Sequence, residues 1–552
     1  MNRRSLLLAA PIILLLIWIV AFPNVAVIAG SLEGGGVHWL EFARSPSDRE
    51  ALWTSLWISV ASVIASIAIG LPLALLLQRA DFPGRKVLSA VATLPAALPP
   101  LVGVIAFLFL YGESGAITRG VQMMLGLAEA PWALSGPWAI VFVHAYTMYV
   151  YVYLFVSAAL ENFDTSLDEA ARGLGHGPFR RFHRITLPLL TPALAGGSLL
   201  VFMSSLGSFS APYVFGGGLR VLSTQIINSK LNDALGVAFV ETAVLALSAV
   251  AGLLLLRWLE GRRRYTITTK GRAIRVPIRS GSARTVAIVL STIVVTVLVL
   301  PHCMVLLTAF AVDGAWTTQV LPPEYTLDNF RRLATDPQLL PPIRNTVVMA
   351  LLATAANVLV CFVIGYLTVL RRFRGRKLLE ILAVLPWTIP PTAIAIGLAS
   401  TFDDFDLSRG KVLLVGTFWI LPLAYFIRGL PLVTSAVQSS LRQMEPSVED
   451  AARGLGAGWW LTMKRVVIPA AKPGLIAGAV LAAITAIGEF VATVLLFTLS
   501  NRTISVEVLQ QLRSQAFGTA SAYSVLLIVM TFVLTLTARW LQGRADRVVA
   551  VT

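Results

Sequence analysis

Asp168-Glu169-Ala170-Ala171-Arg172-Gly173-Leu174-Gly175, followed after nine residues by Ile185-Thr186-Leu187-Pro188, decides the fold because the chain carries it twice. The second copy, 281 positions on, reads Glu449-Asp450-Ala451-Ala452-Arg453-Gly454-Leu455-Gly456, then nine residues, then Val466-Val467-Ile468-Pro469. Ser166 and Ser447 are the expected N-caps, with acids in the first turn where the positive end of a helix favours them. Gly173 and Gly175, like Gly454 and Gly456, suit a C-cap and a change of direction. Pro188 and Pro469 should force a new start before the next apolar run. The pattern predicts a short helix lying flat on a membrane face, its alanines offering a smooth side for close docking by another protein. A copy in register makes docking a better account than a simple re-entry turn.

Apolar runs flank both copies and recur down the whole chain of 552 residues, which is 57% hydrophobic and 13% charged, with mean hydropathy +0.78. Soluble domains carry about 25% charged residues, so this chain has too little charge to cover its apolar surface in water. A helix of about 20 apolar residues crosses the hydrocarbon and satisfies its own backbone. Twelve spans are predicted, over 5–29, 52–77, 88–111, 138–160, 193–215, 235–258, 285–311, 345–370, 379–400, 411–435, 473–499 and 518–541. The first is too long for a signal-peptide core and is read as a retained span. Cys303 and Cys361 lie inside apolar runs and read as small buried residues, without metal-ligand or redox spacing.

The repeat extends outward from the loops. Gly84-Arg85-Lys86, Leu94-Pro95 and Pro99-Pro100 recur 291 positions later as Gly375-Arg376-Lys377, Leu385-Pro386 and Pro390-Pro391. The ten-residue difference between the two displacements falls in the longer segment Glu113 to Pro137 of the first half. Two tandem halves of six spans follow: 1–260 with a docking loop at 161–192, a basic linker at 261–284, and 285–552 with a docking loop at 442–472. Parallel duplication of this kind encloses one pathway around an axis along the membrane normal. With Arg257 and Arg539 assigned to the loops they border, 31 of the 44 Lys and Arg fall on the side holding both termini and both repeated loops. The positive-inside rule makes that side cytoplasmic, so the net charge of +16 is an orientation signal and not a sign of nucleic-acid binding. Arg262-Arg263-Arg264, Lys270, Arg272, Arg275 and Arg279 in the linker read as an anchor against anionic headgroups.

The spacing Glu-Ala-Ala, three residues, Gly, nine residues, Ile-x-Leu-Pro, present without a gap from Glu169 to Pro188, resembles the signature loop of membrane permease subunits of binding-protein-dependent ABC importers. The second copy departs conservatively, with Asp450, Val466 and Ile468 in place of Glu, Ile and Leu. Over almost its whole length the chain looks like the fused, double-length permeases of ferric-iron and thiamine importers. The resemblance implies an all-α, type I importer-like membrane fold in a bacterial inner membrane. It also implies two copies of a separate ABC ATPase subunit and an extracytoplasmic solute-binding protein as partners. Each loop would be a coupling helix: Glu169, Ala170 and Ala171 with Asp450, Ala451 and Ala452 for docking and capping, Gly175 and Gly456 for the turn, Pro188 and Pro469 as landmarks. None would be catalytic, and ATP would be bound by the partner. The chain has no Gly-x-x-x-x-Gly-Lys-Ser/Thr loop; its Gly410-Lys411 is followed by Val412.

Charged groups inside spans are costly and are functional candidates. Glu489 heads them, and its counterpart 281 positions earlier is Ser208, so a carboxylate and a hydroxyl are expected at equivalent places beside the pathway. Arg428 and Glu241 lie where a small boundary shift would let them snorkel. His144, among Tyr146, Tyr149, Tyr151 and Tyr153, reads first as a hydrogen-bonded packing residue and second as a path-lining one. Asp403-Asp404 and Asp406 read as a solvated outer loop, with contact to a binding protein as the sharper alternative. No metal-ligand cluster repeats in the spans. The stretch Phe209 to Gly218 is loosely similar to ferric-iron and polyamine permeases, which makes ferric iron the expected cargo and thiamine or polyamine the alternatives. An ion-coupled secondary transporter using Glu489 is the competing reading, and the duplicated loops argue against it. A membrane enzyme would need clustered His, Cys or paired acids at one depth, which the sequence does not offer.

Overall fold

Apolar runs too long to leave a backbone polar group unpaired in lipid become helices, and the computed structural model of the protein is built almost entirely of them. It describes residues 3–97, 99–161, 166–261, 276–277, 281–316, 319–406 and 411–549. Most of the basic linker therefore lies outside the described residues. Among those described, eleven helices are long and apolar enough to cross a membrane, or twelve if a bent pair is one span.

The bent pair corrects the span expected at 379–400. Arg376–Trp387 and Pro391–Thr401 meet at 109° across the Pro390-Pro391 step. Proline supplies no N–H and biases the residue before it away from the helical region, and Pro390 is extended at φ −56°, ψ 145°. The first half breaks at the same place. Arg85–Val91 gives way to a short 3-10 turn, Leu94–Ala97, before Pro100–Tyr111 begins. The spans expected at 193–215 and 473–499 are also interrupted. Leu187–Leu206 ends at Gly207 before the short helix Ser210–Phe215, and Ile468–Ile487 ends at Gly488 before Val491–Leu496. The ten extra residues of the first half contain a further helix, Ala116–Leu125.

Three helices form the centre of each half. Pro46–Arg79, Gly136–Glu161 and Leu187–Leu206 pack together in the first, and Leu340–Leu370, Ile420–Arg442 and Ile468–Ile487 in the second. The leading helix of each half crosses to the other. Arg3–Leu16 and Phe22–Ser31 pack on Arg376–Val384 and Pro391–Thr401, with Trp18 edge-on to Phe402 at 5.3 Å. Reciprocally, Gly281–Thr308 packs on Pro100–Tyr111, and Tyr146 bonds it twice, donating to the Leu298 carbonyl at 2.6 Å and meeting His302 Nδ1 at 2.8 Å. This exchange makes the two halves one body.

Candidate functional site

The repeated loops fold as matched short helices, Ser166–Gly173 and Pro446–Gly454. Each ends in a Schellman motif. His176 N–H donates to the Ala171 carbonyl and Gly175 N–H to that of Arg172, both at 3.0 Å. Ala457 and Gly456 repeat the pattern onto Ala452 and Arg453 at 3.0 and 2.9 Å. The motif needs a left-handed residue, and Gly175 and Gly456 supply it at φ +76° and +83°. Two expectations fail here. Ser447 is not an N-cap: the helix starts at Pro446 behind Glu445, and Ser447 Oγ donates to Glu445 Oε2 at 3.2 Å. Pro188 and Pro469 start no new helix, because helix runs through from Pro178 to Leu206 and from Trp459 to Ile487. A π turn just before each proline, Phe182–Thr186 and Met463–Val467, re-registers the backbone so that the missing N–H leaves no gap.

Glu169, Ala170, Asp450 and Ala451 are exposed, Ala452 is half-buried and Ala171 is buried. The alanines are therefore only part of the exposed surface. Leu174 and Leu455, each between two glycines, are 78% and 90% exposed, and Phe179 and Trp460 stand out beside them. An apolar residue repeated between the same glycines was the signal for this surface. The second loop is also fastened to its own half. Glu449, the acid before Asp450, is buried and pairs with Arg371 and, at 2.6 Å, with Arg453. Tyr366 accepts from Arg371 Nε at 2.9 Å and from Trp459 Nε1 at 3.2 Å. Burial pulls the Arg371 guanidinium down, but its bonds to Glu449 and Tyr366 hold it above its ordinary pKa.

Ser208 and Glu489 line one cavity of about 460 Å³ between the halves, so the expected pair does come together. Each follows a glycine packed on the other half's prolines: a Cβ on Gly207 would stand 3.1 Å from Pro391, and one on Gly488 3.1 Å from Pro99. Leu200, Met203 and Ser204 also line the cavity and precede Ser208 on a helix arriving from the loop side. The cavity therefore extends towards the loop side from Phe209 and Phe490, which also line it. These two phenylalanines, equivalent in the repeat and both buried, meet across the halves with centroids 5.8 Å apart. Beyond them, Lys230 Nζ donates to the Leu495 carbonyl at 3.1 Å, and the Arg513 guanidinium lies over the Tyr213 ring at 5.2 Å. Burial pulls the Lys230 ammonium below its ordinary pKa. These contacts join the two halves on that side.

Around Ser208 the first half offers hydroxyls and an imidazole. Ser208 Oγ meets His144 Nε2 at 2.9 Å, while Ser205 and Ser62 meet Nδ1 at 3.0 and 3.1 Å. His144 is thus a buried packing histidine, as its first reading held. Around Glu489 the second half is ionic. Glu489 Oε1 accepts from Ala492 N–H at 2.9 Å and Oε2 pairs with Arg428, which does not snorkel away. Tyr425, where the first half has His144, bonds Thr493 at 2.7 Å. Glu241 is fully buried and accepts from Ser229 at 2.9 Å. Asp403 pairs with Lys411 at 3.4 Å on the surface, and Asp404 accepts from the Phe405 N–H, as a solvated loop would.

The family model described as binding-protein-dependent transport system inner membrane component matches the chain twice, over residues 66–265 and 358–550. A probable ABC transporter permease protein of Sinorhizobium fredii is 28% identical over 475 residues, 85% of this chain and 83% of that one. A ferric transport system permease protein of Actinobacillus pleuropneumoniae is 26% identical over 551 residues, 96% of this chain and 77% of that one. A molybdenum transport system permease protein of Mycobacterium bovis is 32% identical over 245 residues, 42% of this chain and 88% of that one.

Proposed function

The chain belongs to the family of inner membrane components of binding-protein-dependent transport systems, and from that premise we propose that it is the double-length permease of an importer that moves ferric iron. The observation that carries the reading is the matched pair of Schellman-ended helices, each presenting an exposed leucine and a bulky aromatic side chain on one side of the molecule. Two such platforms suit two copies of one ATPase subunit, each seated on Glu169 to Gly175 or on Asp450 to Gly456. The platform side is then cytoplasmic, with both termini, in a bacterial inner membrane. A solute-binding protein delivers cargo to the opposite side, above Lys230 and Arg513. ATP is bound by the partner subunits.

ATP-driven closure of the two ATPase subunits would pull the platforms together and rotate the halves, a rigid-body exchange of access. The form seen here, with Phe209 and Phe490 in contact and its cavity extending towards the platform side, suits the inward-facing end of that cycle. Ser208 and Glu489 would stand where cargo passes. Ferric iron is favoured by the full-length similarity to a ferric permease, and thiamine or a polyamine is the alternative cargo. An ion-coupled carrier built on Glu489 would need that carboxylate free to exchange an ion, and both its oxygens are engaged.

Co-purification with its ATPase tests the reading. The chain alone should hydrolyse no ATP and should stimulate the ATPase when loaded binding protein is added. Replacing Leu174 and Leu455 together by Glu should abolish that stimulation and leave the chain folded. Uptake driven by a proton gradient without the ATPase would overturn the proposal.

A further inference from the structure

The cavity between the halves carries two formally charged lining residues, Arg428 and Glu489, and they are not equally available. Glu489 has a side chain 4% exposed and both oxygens engaged. Arg428 is 23% exposed and spends one edge of its guanidinium on Glu489 Oε2. A guanidinium has five N–H donors in a fixed plane and accepts nothing, so the rest of the fork is left for the cavity. The carboxylate acts on the arginine: capped by the Ala492 N–H and locked in place, it aims the guanidinium. Tyr151 and Ser204 line the same cavity as Arg428. Ser208 faces them from the equivalent place in the first half. What this wall offers to cargo is a planar cation among hydroxyls. The acid lines it too, but with a side chain only 4% exposed.

Resting on the permease reading above, we infer that cargo crosses this cavity in an anionic, oxygen-rich form and that Arg428 is the residue that recognises the charge. The shared chemistry is an oxyanion edge presented to a guanidinium, the pairing for which a planar fork is best matched. Two sources supply it: a free tetrahedral oxyanion, or a metal ion wrapped in carboxylate oxygens. A bare metal cation or a polyamine would meet the guanidinium's repulsion, and its natural partner, Glu489, is already neutralised. Arg428 is a specificity-determining residue on this account, and Glu489 positions it.

The test uses the complete complex of chain, ATPase subunits and binding protein in proteoliposomes, with molybdate, ferric citrate and spermidine as separate probes. Arg428→Gln should cut uptake of whichever anionic probe the wild type moves by tenfold or more, in a complex that still assembles with its ATPase subunits. Uptake of molybdate identifies the free oxyanion as the source, and uptake of ferric citrate identifies the wrapped metal. Arg428→Gln leaves Glu489 unpaired, so the double variant Arg428→Gln with Glu489→Gln, which restores a neutral hydrogen-bonding pair, separates folding from recognition. It should remain tenfold or more below wild type. Recovery of uptake in the double variant overturns the inference, because the pair would then be structural. Spermidine uptake undiminished by Arg428→Gln, or a stimulated wild-type complex that moves neither anionic probe, overturns it too. A chain that fails to stimulate its ATPase overturns the permease reading itself, and the inference with it.

Discussion

Residues 208 and 489 hold the same place in the two halves, yet one is a hydroxyl in a ring of serines around an imidazole and the other a carboxylate locked to a guanidinium. The backbones around them match closely. Both follow a helix-ending glycine set on a proline of the other half, and both precede a phenylalanine that meets its twin. Duplication thus preserved the glycine–proline packing and the phenylalanine contact while the polar chemistry beside them diverged. At the second docking loop Arg371 holds Glu449, and the repeat places Ala80, beside Arg79, where Arg371 stands. Beside the cavity, one half carries an ion pair and the other carries hydroxyls.

The comparison is sharpest at the ion pair. Removing one partner of a buried pair strands the other, at about 3–5 kcal/mol, and the partial exposure of Arg428 points to the lower end. Glu489→Ala should therefore lower the unfolding temperature in detergent well below that of Ser208→Ala, which removes one hydrogen bond, about 1 kcal/mol. Equal shifts for the two substitutions would break the proposed division between an ion pair in one half and hydroxyls in the other.

The hydroxyl cluster is the next place to press. His144→Leu keeps much of the volume but strips a partner from Ser62, Ser205 and Ser208 at once. Serines in helices can fall back on carbonyls of the preceding turn, so the expected cost is about 1–3 kcal/mol and not the sum of three lost bonds. Tyr425→Phe, at the equivalent position, loses one bond to Thr493 and should cost about 1 kcal/mol. If Tyr425→Phe proved the more damaging, the polar weight of the second half would lie at Tyr425 and not at the ion pair.

Much of this is legible in the sequence. The loops, their glycines and the pairing of Ser208 with Glu489 follow from a repeat in register, because local turns and symmetry need no knowledge of distant contacts. The broken helices were hidden: an apolar run such as 379–400 satisfies a hydropathy count whether or not Pro390-Pro391 bends it by 109°. The partner of Glu489 was hidden too, since Arg428 lies on another helix, 61 positions away, and only packing of Ile420–Arg442 against Ile468–Ile487 brings them together. At the second loop, similarity to a motif drew the eye to Asp450, while burial selects its neighbour Glu449. Spacing along one helix reports what a residue can reach locally. It does not report which of two adjacent acids faces inward.

The loops give the gentlest tests. Glu449→Gln keeps the shape but weakens two charged contacts, at about 1–2 kcal/mol, and hydrogen exchange should quicken across Pro446–Gly454 while Ser166–Gly173 stays as it was. An effect that appeared in both loops would mean that they are coupled through the body of the protein, and that the tether at Arg371 does not belong to one half alone.

The smallest effect should be the symmetrical one. Gly175→Ala and Gly456→Ala each force a side chain into the left-handed region, at about 1 kcal/mol, and nothing stands within 4 Å of either position to add a clash. Exchange at the amides that close the two Schellman motifs, 175–176 and 456–457, should quicken by about fivefold in both variants. Here the two halves must agree, because the backbone geometry is the part of the repeat that has not diverged. A marked difference between the variants would show that the tether at Glu449 reaches through its helix to the turn, so that conserved geometry and divergent chemistry are not separable in the second half.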